Sequence, residues 1–148
     1  MNPHPPTTLL ARLSESVALF ERDPARALDA LRPLYAEDLR YESPIQTLRG
    51  REGFLRLMGH MATRFTPFSM RIEDGLESEE RIFGRFRLSF KAPFLQQHLD
   101  IEGVTRCVIS GGRIVEQRDY YDALSRALDA VPLAGPVYRK IIAQFALP

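Results

Sequence analysis

Apolar residues recur at helical spacing in three stretches of the first half of the chain. The first stripe follows a capping threonine and comprises Leu9, Leu13, Val17 and Phe20. Asp23 before Pro24 pairs a capping residue with a first-turn proline, which predicts a second, short helix ending near Tyr35. Gly50 precedes the third helix, whose stripe comprises Phe54, Met58, Met61 and Phe65.

A period of two replaces the helical period in the second half of the chain. Alternation predicts four strands there, over residues 70–76, 81–92, 98–109 and 113–121. Gly111 and Gly112 lie between the last two strands and predict a tight hairpin, because glycine readily adopts a positive φ. A short strand over residues 39–43, ended by Pro44, precedes the third helix.

Helices followed by consecutive antiparallel strands predict an α+β fold. We expect a cone, in which N-terminal helices pack on a strongly curved antiparallel sheet and enclose a pocket of small-molecule size. Residues 1–7 are expected to form a loose tail of one domain that spans residues 1–148. Helical spacing returns near the C-terminus, with a stripe of Val137, Ile141 and Phe145. This extra C-terminal helix is expected to close the cone or to pair with a partner subunit.

Composition narrows the classes of function. With 45% hydrophobic residues and a net charge of +1, the 148-residue chain is expected to form a core and not to bind nucleic acid or a membrane surface. No apolar stretch approaches the roughly 20 residues of a membrane-spanning helix, so a cytoplasmic location is expected. The spacing of His, Cys, Asp and Glu suggests no metal site, and no glycine-rich phosphate loop is present. We therefore expect no cofactor.

Three stretches carry a resemblance to a known superfamily. They read FERDPARALDALRPLYAEDLRYESP over residues 20–44, LRGREGFLRLM over 48–58 and GRIVEQRDYYD over 112–122. Their order resembles the nuclear transport factor 2-like superfamily, with its ketosteroid isomerase, SnoaL-like polyketide cyclase and limonene epoxide hydrolase branches. The resemblance implies a cystatin-like α+β barrel, but this fold hosts enzymes and non-enzymes alike.

The resemblance also implies catalytic residues. The epoxide hydrolase branch activates water with the first aspartate of its last-strand motif, which matches Asp119, and a tyrosine on the first strand, which matches Tyr41. Its arginine-x-aspartate pair falls on Arg85 with Arg87, or on Arg87 with Ser89, and neither alignment supplies the acid. The base position of the ketosteroid isomerase branch holds a serine. The catalytic candidates are Asp119, Arg85, Arg87 and Tyr41.

Alternation along the last strand adds candidates for ligand binding. It places Val115, Gln117, Asp119 and Tyr121 on one face, which suits a pocket with polar groups. The full set of expected ligand-binding residues is Tyr35, Ser43, Phe54, Met58, Met61, Gln117 and Tyr121. Structural roles are open for all of them, since Asp119 could pair with an arginine, and the tyrosines and methionines could be core residues.

The strand over residues 81–92 gives two conflicting predictions. The pattern places Ile82, Phe86 and Leu88 on one face and the two arginines on the other, which predicts that the apolar face packs on the helices. The resemblance instead directs Arg85 and Arg87 into the cavity and leaves the apolar face to be covered by a second copy of the chain. We favour the second arrangement, which predicts a homodimer.

Three functions fit these residues. The first is a cavity enzyme of isomerase, hydrolase or cyclase type, with Asp119 as general base on a small, mostly apolar, oxygen-bearing substrate and an arginine as its electrostatic partner. The second is a non-catalytic binding protein whose inward arginine recognises a carboxylate. The third is an interaction module with a vestigial pocket.

Overall fold

The computed structural model describes residues 8–91, 98–122 and 134–144. The helices are α1 (Leu9–Ala18), α2 (Pro24–Leu31), α3 (Arg51–Arg64) and α4 (Ala134–Ala143). The strands are β1 (Tyr35–Glu42), β2 (Thr47–Arg49), β3 (Phe68–Glu77), β4 (Arg81–Lys91), β5 (His98–Ser110) and β6 (Arg113–Tyr121). Short 3₁₀ turns over Leu19–Glu21 and Arg32–Leu34 follow α1 and α2. The predicted tail over residues 1–7 lies outside the described residues.

Side-chain caps fix the starts of the first two helices. Thr8 Oγ1 accepts a hydrogen bond from the backbone amide of Ala11 at 3.1 Å, and Asp23 Oδ1 accepts one from Arg26 at 3.0 Å. Gly50 precedes α3 with φ of 90°, a conformation that glycine adopts without a steric penalty. The predicted positions of all three N-terminal helices are confirmed.

The sheet has six strands in the order β2-β1-β6-β5-β4-β3. Every neighbouring pair is antiparallel except β1 and β6, which run parallel. The predicted α+β fold, a curved sheet packed on N-terminal helices, is confirmed; the parallel pair and β2 were not predicted. The parallel pair matters for the site, because it lays the first long strand of the chain beside the last.

The inner face of the sheet packs on α1, α2 and α3. Ile82, Phe86 and Leu88 of β4 are buried there, whereas the side chains of Arg85 and Arg87 are 46% and 47% exposed on the outer face. The prediction that these arginines point inward is therefore wrong. Burial of the apolar face of β4 removes apolar surface from water, which favours this orientation. An arginine side chain inside the cone would need a buried partner of opposite charge. The homodimer was predicted because a second copy would be needed to cover the apolar face of this strand. That reason no longer holds, since the chain's own helices cover this face.

Helix α4 confirms the expected C-terminal helix. Its residue Val137 is exposed, and Phe145 of the predicted stripe lies outside the described residues. Whether α4 closes the cone or pairs with a partner stays a prediction. Within the described ranges, no helix combines the length and the apolar character needed to cross a bilayer. The cytoplasmic location also stays a prediction.

Candidate functional site

A β-bulge sets which residues of β6 face the interior. The pairing with β5 skips Val115, since Val108 lies opposite Glu116 and Ile109 lies opposite Ile114. Ile114 is buried before the bulge, and Gln117 and Asp119 are buried after it. The bulge thus places an apolar side chain at the start of the inner face and polar side chains further along.

Asp119 is a buried carboxylate held by neutral donors. Its side chain accepts hydrogen bonds from the Tyr41 hydroxyl to Oδ2 at 2.9 Å and from Gln117 Nε2 to Oδ1 at 3.0 Å, and the neighbouring Thr105 side chain also favours its charged form. The strand register explains these contacts, because Thr105 lies directly opposite Asp119 and Tyr41 directly opposite Gln117. A carboxylate has about four acceptor positions, so about two remain for a ligand or a proton.

A second layer of contacts supports Gln117. The Tyr35 hydroxyl donates to Gln117 Oε1 at 2.7 Å, and the Cys107 thiol lies 3.9 Å from the same oxygen. The ring of Phe54 lies 4.8 Å from that of Tyr35 and 4.9 Å from that of Tyr41. Both phenols are thereby fixed by packing as well as by hydrogen bonds.

Burial controls the ionisation of these groups. Desolvation raises the pKa of Asp119 above its ordinary value, although the hydrogen bonds from Thr105, Gln117 and Tyr41 oppose the rise. Burial and the nearby Asp119 charge raise the pKa of Tyr41, and burial raises the pKa of Cys107 to about 12. The phenol and the thiol therefore stay protonated at neutral pH. Asp119 is left as the group able to exchange a proton there.

Two small cavities meet at this carboxylate. The first, about 20 Å³, extends toward Tyr35 and α1, and the second, about 50 Å³, extends toward Ser43 and Tyr121. Both cavities are lined by Met58, Met70, Phe86 and Asp119. Room for one water requires about 10–15 Å³, so the first cavity suits a single water and the second a very small ligand. Ile45, which is 68% exposed, lines the second cavity and marks its approach to the surface.

The structure brings together nine of the predicted site residues around the two cavities. They are Tyr35, Tyr41, Ser43, Phe54, Met58, Met61, Gln117, Asp119 and Tyr121. Arg85 and Arg87 are not among them, because both pair with Glu73 on the outer face of the sheet. An arginine partner for Asp119, whether catalytic or structural, is therefore contradicted by the geometry.

Sequence reasoning missed several residues of the site. Thr105 gave no signal, because a single threonine within a strand is common, and the same holds for Cys107, a single cysteine within a strand. Phe86 and Met70 also line both cavities. Phe86 could have been predicted, because it shares the apolar face of its strand with Leu88.

A larger cleft of about 510 Å³ lies apart from this polar cluster. Its walls come mainly from the turn after α1, the end of α3 and the starts of β3 and β5, and include Phe20, Thr66, Phe68 and His98. It shares no lining residue with the two cavities at Asp119. In the part of the chain that the structure describes, no cluster of His, Cys, Asp and Glu could hold a metal ion.

A comparison against known families identifies the family of the chain. The chain belongs to the SnoaL-like domain family, whose model matches residues 14–117. The match includes α2, α3 and Tyr41 and ends two residues before Asp119. No curated protein shows significant sequence similarity to the chain.

Solved structures show the same fold at low identity. A protein from Catenulispora acidiphila with a ketosteroid isomerase-like fold, in complex with trimethylamine, has a TM-score of 0.68 and 18% identity over 80% of this chain and 90% of its own. A protein from Jannaschia sp. described as a SnoaL-like polyketide cyclase has a TM-score of 0.65 and 18% identity, over 90% of this chain and 99% of its own. An M. tuberculosis LEH-like epoxide hydrolase has a TM-score of 0.61 and 19% identity, over 88% of this chain and 96% of its own. At these identities the similarity shows the fold.

Proposed function

We propose that the chain is a cofactor-free enzyme in which Asp119 is the general base of a proton-transfer reaction on a small ketone. One observation carries the proposal: a buried carboxylate borders two cavities, and neutral donors rather than a cation hold it. Because burial raises the pKa of Asp119, its carboxylate is a stronger base than an exposed one.

The reaction needs a single carboxyl group. The Asp119 carboxylate takes a proton from the carbon next to a carbonyl, and the electrons of the C–H bond form the enolate. With a β,γ-unsaturated ketone the enolate is a dienolate, and protonated Asp119 returns the proton to its γ-carbon, which completes an isomerisation. In the cyclase variant the enolate carbon attacks a second carbonyl of the same molecule, and the proton goes to the new alkoxide. Atoms and charge balance without a further reactant.

The donors near the second cavity suit the developing oxyanion. Ser43 and Tyr121 line this cavity with Asp119, and Tyr121 keeps its proton because burial raises its pKa. A hydroxyl that donates to the enolate oxygen stabilises negative charge as it forms. The apolar walls, from Met58, Met61 and Leu88, favour a substrate with few polar groups. Methionine side chains rearrange easily, so they allow the two cavities to widen around a ligand.

Epoxide hydrolysis by a pair of carboxyl groups receives no such support. That route needs a protonated acid beside the ionised base. Asp119 is the one carboxyl group among the described residues that line the two cavities.

Deuterium exchange tests the proposal without knowledge of the natural substrate. Cyclohexanone and cyclohex-2-enone are incubated with the protein in D₂O, and loss of the α-proton signals is followed by ¹H NMR. We expect the wild-type protein to accelerate exchange above the buffer rate. Asp119→Asn should reduce this acceleration by roughly 10²–10⁴-fold, the usual contribution of a general base.

An exposed aspartate provides the matched control for this experiment. Asp38 lies on β1 with its side chain in solvent, so Asp38→Asn should retain the wild-type exchange rate. Undiminished exchange in Asp119→Asn would refute Asp119 as the base. Failure of the wild-type protein to exceed the buffer rate with both ketones would refute the proposed reaction.

The alternative is a non-catalytic ligand-binding protein. The small volume of the cavities favours it, as does the use of both Asp119 carboxylate oxygens in hydrogen bonds within the protein. The same NMR samples separate the two functions. Saturable shifts of protein signals on addition of a ketone, without deuterium exchange, would support binding alone.

The homodimer remains a proposal, now assigned to the outer face of the sheet. Leu76, Phe83, Val104 and Tyr120 are exposed there, and strand pairing places Leu76 beside Phe83 and Val104 beside Tyr120. Charges of both signs flank them, which suits a second copy of the same face. Light scattering after size exclusion should give a dimer mass that Phe83→Asp reduces, whereas a monomeric wild-type protein would refute it.

A further inference from the structure

Two consecutive hydrogen bonds connect a buried phenol to the Asp119 carboxylate. The Tyr35 hydroxyl donates to Gln117 Oε1 at 2.7 Å, and Gln117 Nε2 donates to Asp119 Oδ1 at 3.0 Å. We propose that Tyr35, acting through Gln117, is a positioning residue that holds Asp119 as an ionised hydrogen-bond acceptor. The purpose of this arrangement rests on the proposed function, since it would keep a general base ready to accept a proton.

The direction of the two hydrogen bonds, from Tyr35 through Gln117 to Asp119, follows from the chemistry of the glutamine amide. An amide has one end that donates and one that accepts. A carboxylate only accepts, so Gln117 must turn its NH₂ toward Asp119 and its oxygen toward Tyr35. The reverse orientation would place the amide oxygen against the carboxylate and repel it. The Tyr35 proton completes the favourable orientation, because it satisfies the amide oxygen.

Tyr35 is built to remain a donor. Its side chain is 1% exposed, its ring packs on Phe54, and burial raises the pKa of its phenol well above the ordinary value. Hydrogen bonds that run in one direction polarise one another, which strengthens the last bond onto Asp119. Deletion of the Tyr35 hydroxyl should therefore reach the carboxylate two hydrogen bonds away.

Neutral groups carry this stabilisation, since no cation is found among the described residues that line the two cavities at Asp119. The titratable side chains that face Asp119 are Tyr35 and Tyr41 from β1, Cys107 from β5 and Tyr121 from β6. Helix α3 contributes the apolar side chains Phe54 and Met58 to the same cavities. None of these described groups carries positive charge, so loss of one donor has no ionic compensation.

The experiment measures the pKa of Asp119 directly, by ¹³C NMR titration of protein labelled at its aspartate carboxyl groups. Tyr35→Phe should raise this pKa by about one unit, because it removes one hydrogen bond of the chain. Gln117→Met should raise it at least as far. Tyr120→Phe makes the same chemical change next to Asp119 on the exposed face, and it should leave the pKa unchanged.

A double variant tests whether Tyr35 acts through Gln117. In the Gln117→Met background, Tyr35→Phe should cause no further shift of the Asp119 pKa. An equal shift in both backgrounds, or no shift in either, would overturn the proposal. A purely structural role predicts the second of these outcomes, with a change in stability alone.

The wild-type protein offers a second measurement in case Gln117→Met does not fold. The ¹H and ¹⁵N signals of the Gln117 side-chain amide should titrate with the midpoint of the Asp119 carboxyl, and signals that stay constant through that midpoint would refute the coupling. Neither measurement uses a substrate. Absence of ketone exchange with the wild-type protein would thus refute the enzyme without affecting the proposed hydrogen-bond relay. An unaltered Asp119 pKa in Tyr35→Phe would refute the relay without affecting the enzyme.

Discussion

The two faces of the sheet hold their carboxylates in opposite surroundings. On the outer face, Glu73 lies 2.6 Å from Arg85 Nη1 and 2.9 Å from Arg87 Nε, in contact with solvent. On the inner face, Asp119 is 8% exposed and has hydrogen bonds from neutral groups only. The outer carboxylate is balanced by cations, whereas the inner one has no cationic partner.

This difference shows how one chemical group, the carboxylate, acquires two uses. A solvated ion pair contributes little to stability. A carboxylate that is desolvated without a cation favours its protonated form, which raises its pKa and its strength as a base. The inner face therefore bears an energetic cost that the outer face avoids, and variants on the two faces should differ accordingly.

The largest expected difference concerns a pair of phenylalanines. Phe54 is buried between the rings of Tyr35 and Tyr41, whereas Phe83 on the outer face is 44% exposed. Phe54→Ala should lower the free energy of unfolding by about 3–5 kcal/mol, because it leaves a cavity in the core. Phe83→Ala should lower it by less than about 1 kcal/mol in protein too dilute to form the proposed dimer. Urea unfolding measures both, and equal losses would contradict the assignment of inner and outer faces.

A smaller effect concerns the pH dependence of stability. The pKa of Asp119 is raised in the folded state, so between its ordinary and raised values the folded protein binds more protons than the unfolded chain. The contribution of protonated Asp119 to the free energy of unfolding is fully present below the ordinary pKa of an aspartate. It is lost as the pH rises through the raised pKa of the folded state. Asp119→Asn should therefore gain stability relative to wild type between acidic pH and pH 8. Thermal unfolding across this range checks the trend.

The smallest effect serves as the control for that experiment. Glu102 is exposed on the outer face, where it pairs with Arg87. Glu102→Gln should change the free energy of unfolding by less than about 1 kcal/mol. A gain in stability with pH as large as that of Asp119→Asn would show that the trend does not come from burial.

Most of the fold could be predicted because local signals and tertiary packing agree. Caps at Thr8 and Asp23 and the glycine turn before β6 fixed element ends, and alternation fixed β3 to β6. The strand β2, over Thr47–Arg49, was missed because three residues are too short to show a period. β1 begins at Tyr35 rather than at residue 39, because Tyr35 already pairs with Ile114 of β6, although the pairing is irregular between Tyr35 and Arg40.

The site was predicted in part, and the errors have a physical reason. Strand alternation correctly indicated that Gln117, Asp119 and Tyr121 share a face, and the bulge at Val115 could not be seen in it. The arginines were placed inside because a resemblance outweighed the hydrophobic pattern. The pattern was the better guide, since burial of Ile82, Phe86 and Leu88 decides which way β4 faces.

The parallel pairing of β1 with β6 has a consequence for how the chain acquires its chemistry. Tyr41 and Asp119 are 78 residues apart in sequence, and Tyr35 and Gln117 are 82 apart. The ribosome completes the tyrosine half of the site long before it adds the strand that carries the carboxylate. Bringing together two strands so far apart in sequence costs conformational entropy, and the contacts between them that offset this cost form only afterwards. Proton-transfer chemistry should therefore be among the last properties that a newly made molecule gains.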